Sequence, residues 1–591
     1  NGLTESMISS AVAYLRPSLS DRLASLIQYC LWGCLIYYLY QSFHGRKAIP
    51  SFSNPYYTTI TSEIGALRAT LDRSLRHMDA MDTGILFLTG VAVLYWLMRI
   101  GESIVDVVVN AKWARLLPYV PVVREIVAKK TQEAEDDIRK SLLKCRTTRT
   151  TELPEAGWDA DLILDRVGQW SELEKREWRE GKASGAVYSG QDDLMDLIGE
   201  VYKRFSLSNP LHPDIFPFTR QMEAEVVSMV ADLFNGDEQT CGCVTSGGTE
   251  SIMMAMRAYR EWGRAERGII TPQIIVPATA HPAFDKAAAY FKMRITKIPV
   301  NMPSGTIDLS RLIGAITPNT VAIVASCPSW PHGTLDPVQH IASIARTRRI
   351  PCHVDACLGS FVVACMESSG FDMPAFDFRV PGVTSLSCDT HKFGFAPKGT
   401  SVLLYRSPEL RAYQYFTTVD WMGGMYASHS VAGSRPGGLI AATWAAMMYT
   451  GKQGYVAATK KVVNFTRELA AGIDKMPDLE VIGHGDTCVV AFRSTNPNLP
   501  TLPIGEAMGD RGWKLNLLQK PDAVHLAVTL PVANGGSRRF LDDLAEAVEQ
   551  VKSDPKAYAK GTAAIYGSAK TVPKMLVESL VKKWLDVYYT A

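Results

Sequence analysis

The sequence predicts an α/β fold: a mostly parallel, seven-stranded central sheet followed by a small C-terminal α+β domain. Two observations predict it. Short runs rich in β-branched and apolar residues recur from Cys243 to Tyr405, with helical segments between several of them. The first of these runs leads through Ser246-Gly-Gly248 directly into a helical stretch, Ile252–Trp262.

In chain order the predicted strands are Cys243–Thr245, Ile274–Val276, Ile295–Val300, Val321–Ala325, Cys352–Val354, Val383–Ser387 and Val402–Tyr405. Right-handed crossovers gather the carboxyl ends of parallel strands on one side, where ligands of such sheets bind. Upstream, residues 101–180 read as helical and charged, as in Glu133–Lys144, and end in the Trp170–Trp178 segment. Downstream, Gly437-Gly438 opens a helix over Leu439–Tyr449. Strands follow at Leu479–Ile482 and Cys488–Phe492, with a helix over Arg539–Lys552. The expected organisation is an N-terminal anchor region (1–105), a helical linker and entry segment (106–220), a large ligand-binding domain (221–440) and a small domain (441–591).

With 591 residues the chain is too long for one hydrophobic core. A formal net charge of +2 gives no indication of a nucleic-acid partner. Eleven cysteines without a paired framework fit free thiols in a reducing compartment. Cys241 and Cys243 flank one glycine, but no second Cys/His pair completes a zinc site, so no metal is expected.

Two apolar stretches lie in the first hundred residues, 23–40 and 84–100. Each is close to the roughly 18–20 residues that cross a bilayer. The second is expected to be a membrane helix; the first is left open between a second span and a buried helix. Basic residues lie on both sides of the second stretch (Arg68, Arg73 and Arg76 before it, Lys112 and Arg115 after it), so charge gives little guide to orientation.

Four segments carry chemistry. Thr245-Ser-Gly-Gly-Thr-Glu-Ser251 joins a strand to a helix start; Gly247 and Gly248 admit an anion to the backbone amides, and Thr249 and Ser251 offer hydroxyls. His281 follows the second strand and can lie flat on a ring. Asp355 ends an apolar strand, where a carboxylate is costly without a cation. Lys392, beside His391 in a Gly/Pro-rich segment, can form a Schiff base if burial and neighbours tune it. Each has a plainer reading alone: a capped helix start, an idle loop histidine, a helix-capping or metal-binding aspartate, a solvated lysine. Together and in this order they supply what pyridoxal 5′-phosphate needs, namely a phosphate anchor, a ring clamp, a partner for the pyridine nitrogen and an amine. The fold class is therefore the pyridoxal-phosphate fold type I, aminotransferase-like.

From about Trp178 onward the chain resembles the sphingosine-1-phosphate lyase family of the decarboxylase-like group. The segments that carry the resemblance are Glu180–Tyr188, Ser208–Pro217, Cys241–Ser251, His353–Gly359, Asp389–Lys392 and Ala432–Gly438. The resemblance implies that Lys392 bonds the cofactor, Asp355 faces its ring nitrogen and His281 stacks on it. It further implies that Gly248 and Thr249, with His391, hold its phosphate. Ser434 looks like a residue that reaches a neighbouring subunit's cofactor phosphate, implying a homodimer with shared sites. Tyr188, His212 and Lys398 match substrate-lining positions, Lys398 being suited to a substrate phosphate. Pro282 stands where the family usually has alanine or another small residue, and should stiffen the loop without removing the imidazole.

The implied activity is retro-aldol cleavage of a phosphorylated long-chain base to a fatty aldehyde and phosphoethanolamine, with Lys392 or Tyr188 moving the proton. The implied place is the endoplasmic reticulum membrane, catalytic part facing the cytosol and drawing substrate from the bilayer. An amino-acid decarboxylase of the same fold and a non-catalytic membrane scaffold are the alternatives.

Overall fold

The computed structural model describes residues 150–558 and 574–590, with Gln132, Glu135, Asp136, Arg139 and Lys140 of a preceding helical stretch. The apolar stretches 23–40 and 84–100 lie outside the described residues. Among those described, no helix is long and apolar enough to cross a membrane.

All seven expected runs are strands of one sheet: β1 (Cys241–Thr245), β2 (Gln273–Pro277), β3 (Arg294–Ile298), β4 (Thr320–Ser326), β5 (Cys352–Asp355), β6 (Val383–Cys388) and β7 (Ser401–Tyr405). Their spatial order is β1-β7-β6-β5-β4-β2-β3. From β3 to β6 the pairing is parallel, while β7 runs antiparallel to both neighbours. The reason is the connection: residues 389–400 form a loop without a crossover helix, so the chain turns straight back beside β6. The strand expected over Ile295–Val300 ends at Ile298. Pro299 has no N–H to give the ladder, and Val300–Asn301 pairs instead with Thr306–Ile307.

The strands are covered on both faces, and successive side chains divide between two cores. Along β7, Val402 and Leu404 join one core while Leu403 and Tyr405 join the other. Each fully buried side chain of this kind contributes about 1.5–3 kcal/mol. Helices α1 (Ala160–Arg179), α2 (Asp192–Phe205) and α3 (Pro217–Leu233) precede the sheet, and α4 (Gly248–Arg267) and α5 (Ala283–Tyr290) belong to it. Helix α6 (Gly437–Ile473) packs on α2 and α3 and runs well beyond the expected Leu439–Tyr449, with one break at Gly451 (φ 59°, ψ 172°).

A hairpin, β8 (Phe416–Thr418) and β9 (Tyr426–Ser428), projects between sheet and α6. The small sheet orders β10 (Leu479–Ile482), β11 (Val489–Ser494), β13 (Ala523–Ala527) and β12 (Asn516–Leu518), antiparallel throughout. Helix α7 (Ser537–Ser553) lays Phe540, Leu544, Ala547, Val548 and Val551 into the core.

Candidate active site

Strand β1 delivers Thr245 to the amino end of α4, where Gly247 takes φ 153°. A Cβ on Gly248 would come 2.8 Å from both Asp389 Oδ1 and Cys357 Sγ, so backbone and buried carboxylate meet at a distance only glycine allows. A Cβ on Gly247 would lie 3.4 Å from His391 Cε1. Thr249 is exposed and its hydroxyl is free for an anion. Ser251 is not: its buried hydroxyl bonds Thr245 Oγ1 (2.7 Å) and Ser401 Oγ (2.9 Å), pinning the helix start to β1 and β7. The expectation that Ser251 offers a hydroxyl to a phosphate is corrected on that ground. Glu250 accepts from the Ser246 N–H (2.7 Å) and from the Val431 N–H (3.0 Å), tying this cradle to the loop before α6.

Lys392 lies in the loop after β6, with its Nζ 2.7 Å from Asp389 Oδ2. Burial pulls the ammonium's proton affinity down, but the Asp389 carboxylate outweighs it and the net shift is upward. Burial acts upward on Asp389, and Lys392 with His391 reverse that to hold it below the usual carboxylate range. His391 accepts the Thr400 N–H at Nδ1 (3.2 Å) and places Nε2 3.6 Å from Asp389 Oδ2. Burial lowers its pKa, leaving a neutral ring with its proton on Nε2. Lys398 sits with Nζ 4.6 Å from the Tyr188 ring centroid, and burial together with Lys392 brings its pKa down to about 8. Tyr188 is buried against the edge of Phe393 at 4.8 Å. Burial raises its phenol, which stays protonated at neutral pH although Lys392 opposes the shift.

Asp355, 7% exposed, ends β5. Its Oδ1 accepts the Cys357 N–H (3.1 Å) and the Ser387 hydroxyl (3.4 Å), and no described cation pairs with it. The Cys357 thiol is raised by burial and by both Asp355 and Asp389, and lowered by Lys392, which places all three charges around one sulfur.

Pyridoxal phosphate fits these residues on two observations. Asp355 is a buried carboxylate in want of a cation, which a protonated pyridine nitrogen supplies. At Asp389, buried Oδ1 has no hydrogen-bond partner and abuts the glycine cradle. Residues 175–495 match the pyridoxal-dependent decarboxylase conserved domain. Sphingosine-1-phosphate lyase 1 of Mus musculus is 43% identical over 484 residues, 81% of this chain and 84% of that protein. The lyase of Drosophila melanogaster is 40% identical, covering 80% and 87%. The chain belongs to the sphingosine-1-phosphate lyase family. A solved sphingosine-1-phosphate lyase from Burkholderia pseudomallei superposes with TM-score 0.67 at 41% identity, over 70% of this chain and 96% of that one. Glutamate decarboxylase of Lactobacillus brevis, 18% identical with TM-score 0.58, shares the fold alone.

Of the residues singled out from sequence, the structure of this family member gathers Tyr188, His391, Lys392 and Lys398 around Asp389, with Gly247, Gly248 and Asp355 adjoining. His281 is half-buried after β2, and its Nδ1 accepts the Ala283 N–H (3.1 Å). Pro282 fits there as the cap of α5, at φ −59° and ψ −11°. Ser434 belongs to the loop that Glu250 ties to the cradle through Val431, and His212 to the segment that bonds that loop through Asn209. Both are exposed, and Asn209, three residues from His212, donates to Ser434 Oγ at 3.0 Å. Asp389, Cys357 and Glu250 were missed as site residues. The i to i+3 spacing of Asp389 and Lys392 was the one legible signal.

Proposed function

We propose that this protein cleaves the carbon–carbon bond of phosphorylated long-chain bases such as sphingosine 1-phosphate, giving a fatty aldehyde and phosphoethanolamine. The observation that carries the reading is the lysine pair: Lys398 stands over Tyr188 close enough to Lys392 for the two ammonium charges to repel. One lysine serves the cofactor's reactive carbon, and the other is a cation for a second, substrate phosphate. Relatives 39–43% identical and named for this activity support it.

When bound, pyridoxal phosphate supplies an electrophilic carbon for an amine and a ring that accepts the electron pair of the breaking bond. The amides at Gly247 and Gly248, the Thr249 hydroxyl and the His391 Nε2–H would hold its phosphate. Asp355 would hold the ring nitrogen and His281 would cover the ring. Freed from the cofactor as the neutral amine, Lys392 Nζ would take the substrate hydroxyl's proton, its affinity for that proton raised by Asp389. Tyr188 Oη, held protonated by burial, donates a hydrogen bond there. Tyr188 packs edge to face on Phe393, the residue after the lysine.

The active unit is read as a homodimer with shared sites, in which His212 and Ser434 act toward the partner's site. Exposed Leu207, Ile215, Phe218, Trp421 and Met425, in or flanking the segments that carry them, support that. The apolar stretch 84–100 supports membrane anchoring, the free cysteines support a site facing the cytosol, and the family resemblance points to the endoplasmic reticulum.

The test is to incubate the detergent-solubilised protein with pyridoxal phosphate and sphingosine 1-phosphate, beside Lys392→Ala. Aldehyde and phosphoethanolamine from the wild type alone are expected. Cofactor absorbance without product would send the assignment to amino-acid substrates, and neither would leave a membrane scaffold.

A further inference from the structure

Asp355 does not end β5 alone. His353 lies two residues earlier on the same face of the strand, in register with Ser385 of β6, as Asp355 is with Ser387. That face is closed by Tyr259 of α4 and Phe284 of α5, and all four of Tyr259, His353, Ser385 and Ser387 are fully buried. An imidazole in such a place must find its hydrogen bonds locally or forfeit about 1–3 kcal/mol for each orphaned nitrogen.

It finds both. Nδ1 lies 2.7 Å from Ser385 Oγ, and Nε2 lies 3.2 Å from Ser387 Oγ. Tyr259 Oη bonds Ser385 Oγ and also lies 2.8 Å from Thr384 Oγ1. Thr384 donates its own proton to the Cys352 carbonyl (2.9 Å), so the single phenol proton can serve Thr384 or Ser385 but not both. At the other end Ser387 donates to Asp355 Oδ1 at 3.4 Å. The carboxylate only accepts, and with Ser387 donating to it one direction follows: Nε2–H donates to Ser387, Nδ1 accepts from Ser385, and Ser385 accepts from Tyr259, whose one proton is then spent and leaves its Thr384 contact without one. This fixes the tautomer of His353.

We propose that His353 is a positioning residue for catalysis: with Ser387 it turns Asp355 and holds it as the anion, leaving the second carboxylate oxygen for the cofactor's ring nitrogen. The inference rests on the reading of Asp355 given above and goes beyond it. Each donor along the chain stabilises the anion, so the shared proton stays on the ring nitrogen, where it draws electrons from the breaking bond. The groups facing His353 are Tyr259 from α4, Phe284 from α5, Ser385 and Ser387 from β6, and Asp355 on its own strand. Burial brings the His353 pKa to about 4, so the ring is neutral above pH 5.

The test uses the full-length protein loaded with pyridoxal phosphate carrying 15N in its ring. His353→Leu breaks the chain, His353→Gln restores a donor toward Ser387, and Ser387→Ala removes the last link with little change in volume. At full loading, the ring nitrogen of His353→Leu and Ser387→Ala should resonate closer to the unprotonated position, with His353→Gln nearer the wild type. Turnover should drop about 10–100-fold with KM little changed, the range outer partners command at metal-bound ligands. If Ser387→Ala and His353→Gln are folded and loaded and every variant keeps the wild-type nitrogen shift, the proposal is overturned. A wild type that takes up no cofactor would instead overturn the reading of the site itself, and this role with it.

Discussion

Substituting Gly248 by alanine adds one methyl group at the tightest point of the cradle. That carbon would sit 2.8 Å from Asp389 Oδ1 and Cys357 Sγ and 2.9 Å from Asp389 Oδ2, so ordinary contact at 3.4 Å requires a displacement of about 0.6 Å. Neither neighbour yields easily, because Asp389 is 2% and Cys357 6% exposed, one held by Lys392 and the other by Ser387. Overpacking of this kind costs about 1–3 kcal/mol. Taken up wholly by the cofactor site, it weakens pyridoxal phosphate binding about 5- to 150-fold. An absorbance titration of apo-protein with cofactor reads the dissociation constant, and thermal melting of the same sample shows how much of the cost falls on the fold. A dissociation constant within twofold of wild type together with an unchanged melting temperature would refute the close approach of Gly248 to Asp389.

Lys392→Ala should abolish lysine-bound cofactor absorbance and lower kcat by about 10²–10⁴-fold or more through lost proton transfer alone, read by stopped assays of aldehyde release. Lys398 is cationic below its pKa of about 8 and neutral above it, so kcat/KM for a phosphorylated base should fall as pH rises through about 8. Lys398→Gln should flatten that limb and raise KM about 10- to 150-fold, the loss of one charged hydrogen bond at about 1.5–3 kcal/mol. Glu250→Ala frees the Ser246 and Val431 amides, and hydrogen exchange at both should quicken by at least about tenfold on the same scale.

The sheet was legible because its signal is local. Continuous runs such as Val321–Ala325 are buried on both faces, and burial on both faces is what such runs record. Boundaries were less legible where one residue decides them, as at Pro299, which ends β3. In the small domain, Asn516–Leu518 and Ala523–Ala527 escaped notice, the first being three residues long and polar at its start. Around the site, motifs spaced along the chain named the lysine, the glycines and Asp355. They could not name Cys357 or Glu250, which matter through partners distant in sequence: Asp389 for the thiol, Val431 for the carboxylate.

By itself, then, the sequence determined which side chains are present at the carboxyl ends of which strands, because strand propensity and glycine placement act over a few residues. The tertiary structure alone decided how those side chains are charged and turned. Lys392 faces Asp389 rather than Asp355, Lys398 loses proton affinity over Tyr188, and Ser251 is spent on Ser401 rather than on an anion. Desolvation and charge–charge coupling depend on distances through space, and those exist only once β1, β5, β6 and β7 have been brought side by side.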